Sequence, residues 1–138
     1  MEAIIIKSST FFKNKKIFIA GGTGLIGAAL SNRLSQFNVK VVSASIDTKK
    51  RADLVLNDPK IFKYIDFRNI KDCKKYIKNS DIVVNLMGVR ESTQLGISKS
   101  ASAFSAFLIC NTNIIEASCV NKIDNYLFCG SINQYPPL

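Results

Sequence analysis

Gly21-Gly22-Thr23-Gly24-Leu25-Ile26-Gly27 lies between an apolar run, Ile17-Phe18-Ile19-Ala20, and the helix-forming Ala28-Ala29-Leu30. A strand, a glycine turn and a helix start are thus written in direct succession. Each glycine answers a separate physical demand. Gly21 permits a tight turn, Gly24 lets the backbone come up against a pyrophosphate, and Gly27 lets the helix pack closely on the strand. The free amides at the helix start, those of Leu25 and Ile26 among them, then hold the anion. A glycine-rich turn used only for packing is the alternative. The position in the first βα turn, with a second strand ending at the right distance to reach a ribose, favours a dinucleotide.

The rest of the chain alternates short β-branched runs with longer segments of helical period, which predicts a parallel sheet. Strands are expected over residues 16–20, 39–45, 61–66, 81–88 and 125–129, and helices over 25–36, from Asn69 or Asp66 to Asn79, and over 101–121. Residues 46–59 read as a loop with a short helix at best. With right-handed crossovers this makes an α/β, Rossmann-like doubly wound sheet with helices on both faces. Its length of 138 residues suits one domain, expected over 16–138, preceded by an N-terminal stretch, 1–15, with no readable pattern.

Hydrophobic residues at 47% and charged residues at 21% are the balance of a folded soluble chain. No unbroken apolar run approaches the ~20 residues of a membrane span, so a cytoplasmic protein with no membrane partner is expected. Nineteen Lys and Arg against ten Asp and Glu give a charge of +9. These cations are spread over loops and helix faces without interleaved aromatics, so no nucleic acid partner is expected. Cys73, Cys110, Cys119 and Cys129 form no C-x-x-C pair and the chain has no histidine. No metal site is expected, and the cysteines read as reduced core thiols.

The glycine loop resembles that of the extended short-chain dehydrogenase/reductases, the nucleotide-sugar epimerases, dehydratases and reductases. Four further segments resemble the family in order and spacing: Asp66-Phe67-Arg68-Asn69, Asn85-Leu86-Met87-Gly88, Asn113-Ile114-Ile115-Glu116-Ala117, and Phe128 to Pro136. The resemblance implies that Asp66, with Phe67 beside it, meets the adenine amino group. It implies likewise that the backbone of Asn85, Leu86 and Gly88 passes the ribose and nicotinamide side. In the last segment Ser131 stands four residues before Tyr135, and the resemblance makes it the serine that hydrogen-bonds the reacting hydroxyl or carbonyl. The implied cofactor is NAD(P), and the implied substrate of an intact family member is a nucleotide sugar.

Two departures bear on activity. The family's acid/base pair, Tyr-x-x-x-Lys, does not occur in these residues: the fourth residue after Tyr64, Tyr76 and Tyr126 is Arg68, Ser80 and Gly130. The 138-residue chain is therefore expected to be inactive alone, and a non-catalytic dinucleotide sensor or structural subunit of the same fold is the alternative. Phe107 also stands where the family has an asparagine in the fourth helix. As for the cofactor, Ser45 takes the place at the end of strand two where an acid would repel a 2′-phosphate. Asp47 follows two residues on, then Lys49, Lys50 and Arg51. This leans towards NADP, and a small backbone shift that lets Asp47 reach the ribose reverses it. A sheet ending at strand five leaves an edge and an apolar helix face, so a homo-oligomer is expected.

Overall fold

The computed structural model describes residues 10–88 and 100–130. Five parallel strands form one sheet in the order β3-β2-β1-β4-β5: β1 Lys16–Ala20, β2 Lys40–Ser45, β3 Phe62–Tyr64, β4 Ile82–Asn85 and β5 Asn125–Phe128. The helices are α1 Leu25–Leu34, α2 Lys49–Val55, α3 Ile70–Ile77 and α4 Ser100–Val120, with a 3-10 turn at Pro59–Ile61. This is the Rossmann-like, doubly wound architecture. From β1 the chain steps outward to β2 and β3, then returns across the sheet to β4 on the other side of β1. The crevice beyond the carboxyl ends of β1 and β4 is the topological switch point of such a sheet.

Alternating side chains sort β1 between two cores. Phe18 and Ala20 join Val83, Ile65 and Phe67 beneath α3 and α4, which contribute Cys73, Ile77, Cys110, Ile114 and Ala117. Ile17 and Ile19 face the other way with Val41, Ile82, Val84 and Leu34 of α1. Every residue of β4 is buried, as a central parallel strand requires. Helix starts follow local chemistry. The Asn69 side chain accepts from Lys71 N at 3.0 Å and caps α3, and Asn79, at φ 60°, ends it in the left-handed conformation.

The structure differs from the sequence expectations where long-range pairing or burial decides. Residues 46–59 do hold the short helix allowed for them, α2, whose N-cap Thr48 accepts from Arg51 N; only Ala52 within it is buried, too little to mark a periodic face in sequence. β3 is shorter than residues 61–66, because its ladder with β2 runs only from Ser43↔Phe62 to Ser45↔Tyr64 while Ile61 is taken into the 3-10 turn. β4 stops at Asn85, because the Asn85 side chain bends the next residues by accepting from Met87 N at 3.0 Å. Helix α1 ends at Leu34 and not at residue 36. Residues 10–15, expected to be patternless, join the domain: Phe12 packs on the Ile17 core and Lys40 N donates to Lys15 O at 2.8 Å. Of the four cysteines expected in the core, Cys73 and Cys110 are buried, whereas Cys119 and Cys129 are exposed.

Residues Ala101–Val120 of α4 are long and apolar enough to cross a bilayer by length and composition, with mean hydropathy 1.4, a run the strict apolar count passes over. Its polar residues tie it to the sheet side of the molecule. Asn113 Nδ2 donates to Phe67 O at 2.9 Å and Asn121 Nδ2 to Lys74 O at 3.0 Å, while Ile114 and Ala117 are fully buried. These contacts pack one face of the helix on α3 and the sheet, while Phe104, Leu108, Ile109 and Ile115 of the other face stay exposed.

Candidate functional site

The glycine loop is held at both ends. Gly21 N and Gly22 N both donate to Ala44 O, at 2.9 and 3.0 Å, so the β1–β2 ladder runs into the turn. Gly21 has φ +79°, and a Cβ there would lie 2.8 Å from Leu86 O at the end of β4. A Cβ on Gly27 would overlap Gly21 O and sit 2.8 Å from Gly22 Cα, so Gly27 lets α1 begin directly against its own loop. Gly22, which the spacing did not single out, is equally constrained: its Cβ would run into Ser43 of β2. Gly24 differs. Its Cβ would meet only Gly21 O, at 3.2 Å, so its outer side stands open.

Gly24 is also the N-cap of α1, and no side chain caps that helix, nor is there an acid in its first turn. The first amides of a helix have no intrahelical acceptor, and uncapped they form a site for an anion. The side chains of Leu25 and Ile26 are 90% and 58% exposed and line no part of the cleft, so only their N–H groups can serve there.

In front of the loop opens a cleft of about 500 Å³, within the range of ordinary cofactor sites. Gly21 and Gly24 form its floor, Ser45 and Asp47 one flank, Asp66 and Arg68 another. Leu86 and Gly88 lie on the β4 side, and Phe107 and Cys110 of α4 close the back. Most of the expected cofactor residues thus meet at one place, and Gly27 and Asn85 lie behind it.

At the end of β2 three polar groups bond one another. Asp47 N donates to Ser45 Oγ at 3.0 Å, the Ser45 and Thr23 hydroxyl oxygens are 2.7 Å apart, and the Thr23 hydroxyl donates to Asp47 Oδ2. A hydroxyl carries one proton. With Thr23 giving its own to the carboxylate, Ser45 must give its own to Thr23, and the circuit closes. Thr23 is fully buried. Sequence reasoning passed over it because a threonine between glycines carries no signal until the end of β2 is folded beside it.

Asp66 is gripped by Arg68, which donates Nε to Oδ1 at 2.9 Å and Nη2 to Oδ2 at 2.6 Å. The hydrogen bonds from Arg68 hold the Asp66 carboxyl below its ordinary value. A carboxylate has about four acceptor positions, so lone pairs remain for an amino group. The Phe67 ring is buried edge-to-face against Phe18, leaving Phe67 to the cleft as wall and backbone. Asn85 is fully buried. Its Nδ2 donates to Asn111 Oδ1 at 2.7 Å and to Tyr126 Oη at 2.9 Å, and Asn111 Nδ2 donates to Phe107 O at 2.8 Å. Asn111, one helical turn beyond Phe107, thus links the Asn85 turn to the α4 backbone beside the cleft. Burial pushes the Tyr126 phenol and the Cys110 thiol up, and the Cys73 thiol to about 11, so none is a ready nucleophile. Ser131 and Tyr135 lie outside the described residues.

The family model for NAD dependent epimerase/dehydratase proteins matches residues 17–138, nearly the whole chain. The chain belongs to that family. An epimerase/dehydratase glycine loop, open cleft and switch point are therefore what the geometry above describes. A UDP-glucose 4-epimerase of Rickettsia bellii is 28% identical over 135 residues, covering 92% of this chain and 39% of that protein. An uncharacterised membrane protein of Methanocaldococcus jannaschii is 27% identical over 94% of this chain and 40% of its own length. Among solved structures, an epimerase from Methanothermobacter thermautotrophicus superposes with a TM-score of 0.79 over 98% of this chain and 40% of that one; at 14% identity it shows the shared fold. The chain spans about two fifths of the length of the curated relatives it matches.

Proposed function

We propose that this chain is the dinucleotide-binding half of a nucleotide-sugar epimerase or dehydratase, and that its cofactor is NAD. The observation that carries the reading is the uncapped start of α1 behind an open Gly24, facing a cleft flanked by the Asp47 carboxylate. A bound pyrophosphate fits the free amides, and a ribose diol fits the carboxylate. NAD is favoured over NADP because Asp47 is turned in towards the loop by Thr23, whereas Lys49 is paired with Asp53 at 2.9 Å. When bound, a nicotinamide dinucleotide supplies reversible hydride transfer at a sugar carbon. This chain's own part is to hold and orient that group: the loop binds the phosphates, Asp66 meets the adenine, and Leu86 to Gly88 pass the ribose. Ser131, by resemblance, hydrogen-bonds the reacting oxygen.

The family's Tyr-x-x-x-Lys pair does not occur within these 138 residues, and dinucleotide binding is the part of the activity assigned to them. The chain's exposed apolar surfaces support self-association. Calorimetric titration of the purified chain with NAD and NADP tests the reading. NAD is expected to bind, and Gly24→Val, which fills the open side of the loop, is expected to abolish binding while the fold persists. Binding of neither dinucleotide by the unaltered chain would remove the proposal.

A further inference from the structure

The circuit at the end of β2 assigns Thr23 a role of its own. We infer that Thr23 is a positioning residue that sets the preference for NAD over NADP by holding the Asp47 carboxylate in the cleft. The inference rests on the dinucleotide reading above and deepens it.

Ser45, at the end of β2, is uncharged, so the discriminating charge has to come from further along the chain. Asp47 is two residues on, past the exposed Ile46, where an unrestrained side chain would swing out towards Lys49, Lys50 and Arg51. Two things prevent this. The Asp47 backbone is fixed on one side by its N–H bond to Ser45 Oγ and on the other by Thr48, which is committed to capping α2. The Asp47 side chain is then drawn back by the Thr23 hydroxyl onto Oδ2. Thr23 is buried to the last atom, so no water competes with the carboxylate for its hydroxyl proton.

The chemistry that results is selective. A carboxylate with one oxygen engaged by Thr23 keeps acceptor positions for the two hydroxyls of a ribose diol. The same charge repels a 2′-phosphate, which brings nearly two negative charges of its own. The basic triplet that would welcome that phosphate lies on the exposed side, and its first member is already paired. Selectivity therefore depends on where Asp47 points, and Thr23 determines that. The hydroxyl acts through the carboxylate and needs no contact with the ligand.

The test is a set of dissociation constants for NAD and NADP, measured by calorimetry on the full chain and on Thr23→Val, Thr23→Ser, Asp47→Ala and the Thr23→Val/Asp47→Ala double variant. The unaltered chain is expected to prefer NAD. Thr23→Val, nearly isosteric, should lower the NAD preference about tenfold, the scale of one hydrogen bond to a charged group. Thr23→Ser keeps the hydroxyl and should restore it. In the Asp47→Ala background, Thr23→Val should change the ratio no further. An equal loss of both affinities in Thr23→Val, or a ratio that still shifts without Asp47, overturns the inference and leaves the dinucleotide reading standing. An unaltered chain that binds neither dinucleotide overturns both.

Discussion

The two flanks of the sheet are built differently. Around the carboxyl ends of β1 and β2 the polar side chains bond one another, the glycines are pressed against backbone, and one open position, Gly24, faces a cleft. Around β5 the picture reverses. Leu127 and Phe128 are 55% and 40% exposed, and a groove of about 960 Å³ runs between β5, Ile26 and Leu30 of α1, and Phe11. Parallel strands are normally covered on both faces, so an apolar parallel edge is a surface made to be covered. The first region is closed by its own hydrogen bonds around an open cleft. The second region leaves apolar side chains exposed along a groove.

Changes that exploit this difference should scale with how tightly each place is closed. The largest effect is expected from Gly27→Val, whose side chain would have to displace the Gly21 carbonyl. A loss of about 3 kcal/mol is expected, read as a drop in the urea midpoint, and an unshifted midpoint would show that the start of α1 is not pinned to its loop. Asn85→Leu should come next. It strands the buried Asn111 and the half-buried Tyr126 hydroxyl and Met87 N, for about 2 kcal/mol in the same measurement.

Gly24→Ala separates binding from folding. With only one contact at 3.2 Å to accommodate, it should alter stability by less than about 1 kcal/mol yet weaken NAD in calorimetry, whereas Gly27→Ala should harm both. On the β5 flank, Leu127→Lys should leave the unfolding free energy within about 0.5 kcal/mol and shift sedimentation towards the monomer; an unchanged sedimentation profile would place any self-contact elsewhere. The smallest effect concerns pH. Asp66 has a folded pKa below its ordinary 3.8, so the Arg68 pairing contributes fully above that value and is lost as pH falls through the folded one. Arg68→Ala should lower the neutral plateau of a stability-versus-pH curve slightly, flatten its acid limb, and leave stability below the folded pKa unchanged.

Much of this was legible in advance. β1 and the loop are dictated locally, because an apolar run can only be a buried strand when glycines with three distinct tasks follow it. The α3 start at Asn69 and stop at Asn79 are equally local, a cap and a left-handed turn written in the residues that favour them. α2 could be read only as a short helix at best, because its helical character rests on the Thr48 cap and on the single buried Ala52, packed against its C-cap Leu56 and Ala28 of α1. The ends of β3 and β4 depend on where a neighbouring strand stops, and no local pattern records that.

At the site the division follows the same rule. From the amino acids alone came the glycine turn and the order of strands and helices, since backbone geometry and hydrophobic period operate over a few residues; the family resemblance added Asp66 and Leu86 to Gly21, Gly24, Ser45 and Asp47, and all six line one cleft. Only the tertiary structure decided that Asn85 turns inward to Asn111 and Tyr126, and that Asp47 turns back to Thr23. Those orientations are set by hydrogen bonds between residues 24 to 41 positions apart, and a buried polar group goes wherever folding supplies its partner.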